Sequence, residues 1–187
     1  MKSVSSSFSQ YLNKTENTQQ LSDWISHNTS TKIDALKQAT RIAFEYNKYQ
    51  SDLQTYGVLE KFATPDEVLK KGTGDCDCKS GLIVSVLDGL PLELKPDETR
   101  VTVGRYISSA SKPNEYHAFA EALVDGRWYV LDGTSGRVVA MPNPQYLRMF
   151  SIYPDKVVIH DPVMETASIL FGLPLIPILE LAEAIQR

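Results

Sequence analysis

The only cysteines of the 187-residue chain, Cys76 and Cys78, lie two positions apart in the segment GTGDCDC. An apolar run follows them, which predicts a buried helix that begins at Cys76. The unpaired N–H groups and partial positive charge at such a helix end favour the thiolate form of a cysteine. Neighbours this close rarely form a disulfide without strain, so we expect two reduced thiols. Cys76 is therefore a candidate nucleophile.

Two segments of alternating apolar residues, 115–124 and 127–132, predict a pair of antiparallel strands. The Asp125-Gly126 pair between them is a strong signal for a two-residue hairpin turn. That turn makes Val124 the partner of Arg127. It thereby fixes the register of every other pair in the hairpin.

His117 and Asp132 are the candidate base and its orienting acid. In the register that the turn fixes, they are diagonal neighbours that project from the same face of the hairpin. A register shift of one residue would put them on opposite faces. If the Cys76 helix packs on this face, the three side chains form a triad of nucleophile, base and carboxylate. Such a triad performs acyl transfer through a thioester.

Helices precede the cysteines and strands follow them, which predicts an α+β domain. Apolar residues three to four apart predict a helix over residues 31–49. In the segment TPDEVLKK, Thr64 can cap a second helix, Pro65 can start it and Glu67 can complete a capping box. Gly72 should end that helix. Around the hairpin, TRVTVGRYI, RVVA and KVVIH predict further strands.

Composition sets the class of protein and its organisation. With 42% hydrophobic and 22% charged residues the chain is globular, and a net charge of -4 without a basic block argues against nucleic acid as a partner. Polar residues 1–20 predict a flexible arm, residues 21–160 the catalytic domain, and residues 161–187 an apolar helical segment.

The apolar run ASILFGLPLIPIL in the last segment is about a dozen residues long, whereas a bilayer span needs roughly 20. We expect it to pack on the domain or to form a surface for a partner, without spanning a membrane. The N-terminal residues have no apolar core of signal-peptide length. A cytoplasmic location is therefore predicted, or export if a leader precedes these residues.

The segments GDCDCKSGLIVSVL and YHAFAEALVDGRWYVLDGT resemble the transglutaminase-like superfamily. In that superfamily, which has a papain-like fold, a glycine-hinged cysteine begins a core helix, a histidine heads one strand and an aspartate ends the next. The longer segment YQSDLQTYGVLEKFATPDEVLKKGTGDCDC resembles the bacterial transglutaminase-like cysteine proteinases. The resemblance spans about residues 45–135.

The resemblance implies that Cys76 is the nucleophile, His117 the base and Asp132 the orienting carboxylate, with no cofactor required. In some of those proteinases, acidic residues beside the cysteine bind calcium, and here these are Asp75 and Asp77. Relatives usually have Asp or Glu where this chain has the second cysteine, which leaves calcium dependence open. Those relatives are typically exported, whereas this chain shows no export signal.

The developing oxyanion needs donors, and the backbone N–H of Cys76 is one candidate. Tyr56 or Gln54 could supply a side-chain donor. A zinc site that combines both cysteines with His117 and His160 is an alternative, although CxC is not a usual zinc-knuckle spacing. We assign Cys78 and His160 no catalytic role.

The most direct interpretation is a cysteine peptidase or amidase that acts on a protein or peptide. If an amine replaces water as the acyl acceptor, the same site makes a cross-linking transglutaminase. A second alternative is a binding or assembly module that kept the fold without turnover, with the apolar C-terminal segment as its interaction surface. Nothing in the sequence selects among them.

Overall fold

The computed structural model describes residues 8–92, 94–95, 97–107 and 115–160. Within these residues the chain forms six helices: α1 (Ser9–Leu12), α2 (Glu16–Asn28), α3 (Lys32–Glu45), α4 (Asp52–Tyr56), α5 (Pro65–Lys71) and α6 (Cys76–Gly89). The same residues form eight strands: β1 (Lys48–Tyr49), β2 (Thr73–Gly74), β3 (Thr99–Tyr106), β4 (Glu115–Val124), β5 (Arg127–Asp132), β6 (Arg137–Ala140), β7 (Tyr146–Ile152) and β8 (Val157–Ile159). Apart from the two-residue strands β1 and β2, the helices come first and the strands follow, which confirms the α+β prediction.

Strands β3 to β8 form a six-stranded antiparallel sheet in the order β6-β5-β4-β3-β7-β8. Strands β4 and β5 form the predicted hairpin, in which Val124 pairs with Arg127. Asp125 and Gly126 have positive φ angles of 50° and 76°. Both angles are those of the tight turn whose twist matches the flanking strands. The turn therefore sets the register of the hairpin, as predicted.

Helix α6 lies at the centre of the molecule. It packs on β3, β4 and β5 and is surrounded elsewhere by α1, α2, α3 and α5. Every residue from Cys78 to Leu87 is buried. A helix that is apolar nearly all round is stable only where it is covered on all sides, and here a sheet and four helices provide that cover.

The helix that leads to the cysteines is capped as predicted. The Thr64 hydroxyl accepts from the Glu67 N–H, and the Glu67 carboxylate accepts from the Thr64 N–H. Pro65 is the first residue of α5, and Gly72, at φ 64°, ends it in the left-handed conformation. This glycine turns the chain into β2 and from there into α6.

Part of the segment predicted as a flexible arm is instead helical. Helix α1 and the beginning of α2 lie within residues 1–20, and Leu12 is buried. Buried hydroxyls hold α2 against α6: Thr18 Oγ1 lies 2.9 Å from Ser85 Oγ, and Ser22 Oγ donates to the Val86 carbonyl at 2.7 Å. The polar composition concealed these helices because hydrogen bonds replace much of the expected apolar stripe.

Other boundaries also differ from the prediction. Helix α3 ends at Glu45, four residues before the predicted end, and strand β7 was not predicted. Segment 161–187, with its predicted partner surface, lies outside the described residues. No helix in the described part of the chain combines the length and apolarity that a bilayer crossing requires. The cytoplasmic location stays a prediction.

Candidate active site

Cys76 is the first residue of α6, and its side chain is partly exposed. The parallel pairing of β1 with β2, with Tyr49 opposite Gly74, fixes the turn that precedes it. The first N–H groups of a helix have no partner within the helix, so the sulfur lies beside unpaired donors. Its position combines the electrostatic field of a helix end with access from solvent.

The structure brings Cys76, His117 and Asp132 together. The Nε2 atom of His117 lies 3.1 Å from Oδ1 of Asp132. Cys76 lines the same cleft as His117, and its interaction with the imidazole contributes to the raised pKa of that ring. These side chains come from α6, β4 and β5, so the packing of the helix on the hairpin is what assembles them. All three line one cleft, in which the imidazole contacts the carboxylate.

The Asp132 carboxylate is held by several donors besides the imidazole. Oδ1 accepts from the Thr134 N–H at 2.9 Å and from the Thr134 hydroxyl at 2.7 Å. Oδ2 accepts from the Ser135 hydroxyl at 2.8 Å and from the Tyr146 hydroxyl at 2.9 Å. Both oxygens are thus fixed, and the carboxylate can orient the His117 ring without rotating away.

The pKa values of the pair move in opposite directions. Burial disfavours the charged imidazole, but hydrogen bonds to Asp132 and Cys76 outweigh burial and raise the pKa of His117 to about 9. Burial would raise the pKa of Asp132, yet the hydrogen bonds from His117, Thr134 and Ser135 lower it well below its usual range. At neutral pH the site therefore contains an imidazolium beside an ionised carboxylate.

Gly133 allows α6 to approach the end of β5 closely. A Cβ atom at this position would lie 3.1 Å from both Ile83 Cδ1 and Lys79 Cβ, and 3.3 Å from Ala43 Cβ. The buried Lys79 donates from Nζ to the Gly133 carbonyl at 3.3 Å. Burial lowers the pKa of Lys79, while the negative charge of Asp132 opposes that shift. Close packing and this hydrogen bond together hold the helix on the strand that carries the carboxylate.

A cleft of about 260 Å³ opens over the three side chains. Its remaining lining consists of three tyrosines and two hydroxyl residues: Tyr49, Tyr106, Tyr116, Thr134 and Ser135. The Tyr106 ring lies 5.9 Å from the His117 ring, centroid to centroid. Tyr116 is 68% exposed, so aromatic surface at the rim is available to a ligand. The cleft therefore gives a ligand access to the Cys76 side chain.

Cys78 faces away from this cleft, as its helical position predicts. It is fully buried, and its sulfur donates to the Lys61 carbonyl at 3.4 Å and accepts from the Ala63 N–H at 3.5 Å. Burial, followed by the negative charge of Asp77, raises the pKa of this thiol. The two cysteines therefore have different surroundings although one residue separates them.

The acidic residues beside the cysteines form a second group of side chains. Burial, followed by the interaction with the neighbouring Asp75 carboxyl, raises the pKa of Asp77 to about 9. Asp52 of α4 completes the group from the other side: one oxygen each of Asp52 and Asp75 and the Cys78 sulfur lie within 4.8 Å of one another. Burial raises the pKa of Asp52. The sequence indicated Asp75 and Asp77 but not Asp52, which is 23 positions before Asp75.

The structure does not bring the remaining candidates to the cleft. Tyr56 and Gln54 are not among the residues that line it. The Tyr56 hydroxyl is buried without a hydrogen-bond partner, and Gln54 is exposed. His160 Nε2 lies 2.8 Å from Ser151 Oγ. The proposed zinc ligands are thus separated, because Cys78 faces the Lys61 segment and His160 bonds within the sheet.

Several residues at the site were not found from the sequence. Tyr146, which donates to the carboxylate, lies on the strand that was not predicted. Thr134 and Ser135 follow Asp132 directly, and a turn rich in hydroxyl residues after a strand-end aspartate is the signal that could have identified them. Tyr49 and Tyr106 come from separate elements, so only the fold could place them.

No protein-family profile matches the chain, and no curated protein matches it significantly. Its backbone is similar to solved structures. A candidate cysteine protease from Cytophaga hutchinsonii has a TM-score of 0.56 and 17% identity over 78% of this chain and 46% of that one. The chain thus corresponds to less than half of that protein.

LapG of Legionella pneumophila is similar over nearly its whole length, with a TM-score of 0.59 and 14% identity over 87% of this chain and 96% of LapG. The calcium-bound form of LapG has a TM-score of 0.54 and 15% identity, over 74% of this chain and 83% of that one. The EGTA-treated form has a TM-score of 0.58 and 15% identity, over 80% and 87%. The chain therefore has the fold of these solved structures, one of which is described as a candidate cysteine protease.

Proposed function

We propose that the protein is a cysteine peptidase or amidase that cleaves amide bonds through a thioester on Cys76. The observation that carries this proposal is the cleft at the start of α6, which Cys76 and His117 line together and where His117 lies 3.1 Å from Asp132. The fold that the chain shares with a candidate cysteine protease supports the proposal. The chemistry itself is inferred from the side chains.

In the first half of the reaction, the Cys76 thiolate attacks the carbonyl carbon of the substrate amide. The sulfur–carbon bond forms and the carbonyl electron pair moves to oxygen. When the tetrahedral intermediate collapses, the carbon–nitrogen bond breaks and the leaving amine takes a proton from the His117 imidazolium. The raised pKa of His117, about 9, keeps that proton available at neutral pH.

In the second half, neutral His117 removes a proton from a water molecule, and the resulting hydroxide attacks the thioester. The sulfur–carbon bond then breaks, the carboxylic acid leaves, and the thiolate–imidazolium pair is restored. Asp132 holds the imidazole in the orientation that both steps require and stabilises its charged form. The backbone N–H of Cys76 at the helix end is one donor for the oxyanion. Tyr56 and Gln54 remain predictions for a second donor.

We propose a protein or peptide as the substrate and water as the acyl acceptor. The cleft of about 260 Å³ is bordered by tyrosines, which pack well against an extended peptide. The structural neighbour that is described as a candidate cysteine protease favours hydrolysis over cross-linking. Transglutaminase activity would instead require an amine to reach the thioester, and incorporation of an amine probe would reveal it.

We propose that acyl transfer needs no cofactor, because the chain supplies the nucleophile, the base and the carboxylate. Calcium is the ion to test, since one similar LapG structure contains it. Calcium prefers six to eight oxygen ligands. The group near the nucleophile instead combines two carboxylates with the sulfur of Cys78, a soft donor. This donor set does not fit calcium, so we expect activity to survive a calcium chelator.

Thiol labelling followed by peptide mapping tests the proposal. Iodoacetamide should modify Cys76 well below pH 8.5, while the buried Cys78 in the same protein is the internal reference. His117→Ala should slow the labelling of Cys76. His27→Ala is the matched control, because His27 is an exposed histidine remote from the cleft. If Cys76 reacts no faster than a free cysteine, the enzyme proposal is wrong and the binding-module alternative gains.

Substrate cleavage is tested with a mixed peptide library analysed by mass spectrometry. The wild-type protein should produce new N-termini, and Cys76→Ser should produce none. Peptides joined to an added primary amine would indicate a transglutaminase instead. A library left intact by a protein whose Cys76 is reactive would restrict the activity to folded protein substrates, which a proteome-wide search for new N-termini would then test.

A further inference from the structure

We propose that Asp52, Asp75 and Cys78 form a binding site for a thiophilic divalent cation of the zinc class, outside the catalytic cleft. The site joins helix α4 to the start of α6. It shares Asp75 with the calcium site that the sequence suggested and Cys78 with the zinc alternative, but it combines them with Asp52 and uses neither Asp77 nor a histidine. The proposal does not depend on the protease proposal.

The first argument is the arrangement of the donor atoms. One oxygen of Asp52, one oxygen of Asp75 and the Cys78 sulfur lie within 4.8 Å of one another. Asp52 is 2% exposed and Cys78 is fully buried. Zinc binds carboxylate oxygen at about 2.0 to 2.2 Å and thiolate sulfur at about 2.3 Å, so a central ion would draw the three donors slightly inward.

The second argument is that polar atoms at this site lack partners. Oδ1 of Asp52 and Oδ1 of Asp75 are buried and accept no hydrogen bond. Asp75 is the N-cap residue of α6, yet its side chain makes no capping hydrogen bond. No salt bridge in the described part of the chain joins either carboxylate to a basic side chain. Buried acceptors without donors are costly, and a cation would satisfy them.

The third argument is that one backbone segment orients two of the ligands. The Lys61 N–H donates to Oδ2 of Asp52, which leaves Oδ1 for another partner. Two residues later, the Ala63 N–H donates to the Cys78 sulfur at 3.5 Å. Hydrogen bonds of this kind around ligands fix their orientation and raise their affinity for a metal. The Lys61 side chain does not compete, because its ammonium pairs with Glu67 at 2.6 Å.

The sulfur decides which ion the site should take. Thiolate ligands select zinc and related soft ions, whereas calcium and magnesium prefer oxygen ligands alone. On binding, the Cys78 thiol would lose its proton to solvent and exchange its hydrogen bond with the Lys61 carbonyl for a bond to the metal. Three protein ligands leave a fourth position for water, as in many zinc sites.

Cobalt(II) is the probe for the test, because thiolate bound to cobalt gives an intense near-ultraviolet charge-transfer band that oxygen ligands do not give. The experiment uses the full reduced chain with Cys76→Ser, which removes the other cysteine and any turnover. We expect the band to appear at one equivalent of cobalt and to disappear when zinc is added. The additional substitution Cys78→Ser should abolish it.

The carboxylates are tested by competition between the protein and a zinc-sensitive dye. Asp52→Asn keeps the size of the side chain and should weaken zinc binding by about 100-fold or more. Asp66→Asn is the matched control, since Asp66 lies outside the three-ligand group. The proposal is overturned if the Cys76→Ser protein gives no cobalt band, or if Asp52→Asn binds zinc as tightly as its parent. Calcium added in large excess should not displace zinc, and displacement would show that the sulfur does not set the preference.

Discussion

Buried carboxylates lie on both sides of the first turn of α6, and their surroundings are opposite. On the cleft side, Asp132 accepts hydrogen bonds from hydroxyls, backbone N–H groups and an imidazole, and its pKa is low. On the other side, Asp52 and Asp75 each retain a buried oxygen without a donor. Burial is nearly complete for both Asp132 and Asp52, at 1% and 2% exposure. The number of hydrogen-bond donors, and not the extent of burial, therefore decides whether the pKa of a carboxylate is lowered, as for Asp132, or raised, as for Asp52.

The comparison suggests a division of tasks at one helix end. The cleft side is preorganised by the chain alone: a fixed carboxylate, Asp132, orients the proposed base beside the proposed nucleophile. The other side is incomplete in its hydrogen bonding, which is what a site for an external cation looks like. The change of a single residue type, from oxygen to sulfur donor at Cys78, alters which cation such a site should prefer.

The largest expected effect comes from removing the nucleophile on the cleft side. Cys76→Ser should lower kcat/KM for peptide hydrolysis by about four orders of magnitude, because a serine hydroxyl is a much weaker nucleophile than a cysteine sulfur. Its unfolding midpoint in urea should stay close to that of the wild-type protein, since Cys76 is partly exposed. Retention of a tenth of the activity would contradict the role of Cys76.

The next largest effect should follow from Asp132→Asn. Loss of the orienting charge should reduce kcat about 100-fold. The wild-type activity should decline as pH rises through about 9, the raised pKa of His117. Because Asp132 is a main cause of that rise, the variant's alkaline limb should move to lower pH. A pH profile of kcat/KM measures both effects. If the alkaline limb of the variant stays at the wild-type pH, Asp132 does not raise the pKa of His117.

Linkage gives the same pair a predicted effect on stability. The folded-state pKa of His117 is above its ordinary value of 6.5, so its contribution is complete below about pH 6.5 and is lost as pH rises through about 9. The contribution should be about 3 kcal/mol at most. Urea unfolding at pH 6 and pH 9.5 should show the decrease for wild type and a smaller one for His117→Gln. Equal decreases in both proteins would contradict the assignment.

A smaller effect should come from Tyr146→Phe, which removes one donor from Oδ2 of Asp132. A buried hydrogen bond to a charged group contributes about 2 kcal/mol, so we expect a destabilisation of about that size by urea unfolding. Activity should fall only modestly, because Ser135 still holds the same oxygen. Tyr116→Phe, at an exposed rim position, is the control.

The smallest effect is expected on the other side of the helix end. In excess chelator, Asp52→Asn should change the free energy of unfolding by at most about 1 kcal/mol, because the oxygen that it alters has no donor to lose. The Lys61 N–H keeps an acceptor in the variant. If Asp52→Asn lowers the free energy of unfolding as much as Tyr146→Phe does, the two sides of the helix end do not differ in hydrogen bonding as described.

Local signals in the sequence predicted much of the frame of the site. The Asp125-Gly126 turn fixed the hairpin register, and the capping box with its terminal glycine placed α5 and so the start of α6. These signals are readable because they depend on backbone geometry within a few residues. Helix α2 and strand β7 were missed, since hydroxyl contacts and sheet pairing with distant residues stabilise them.

What the sequence could not supply were contacts between distant segments. Nothing near Asp75 in the chain indicates that Asp52 lies beside it, and nothing near Asp132 indicates Tyr146. The assignment of Tyr56 or Gln54 as an oxyanion donor depends on such a contact, between α4 and the start of α6. Neither residue lines the cleft, and the identity of a second oxyanion donor stays a prediction.

Because α6 and β5 approach closely at Gly133, the distance between the proposed catalytic groups depends on how the interior packs around this glycine. The Cys76 sulfur is attached to the helix and the Asp132 carboxylate to the strand. Any added volume where Ile83, Lys79 and Ala43 contact Gly133 would therefore push the helix and the strand apart. An ångström of separation between layers would open the sulfur–imidazole contact without altering either group. A larger residue in the interior, for example at Ala43, should therefore lower the catalytic rate before it lowers the stability enough to unfold the protein.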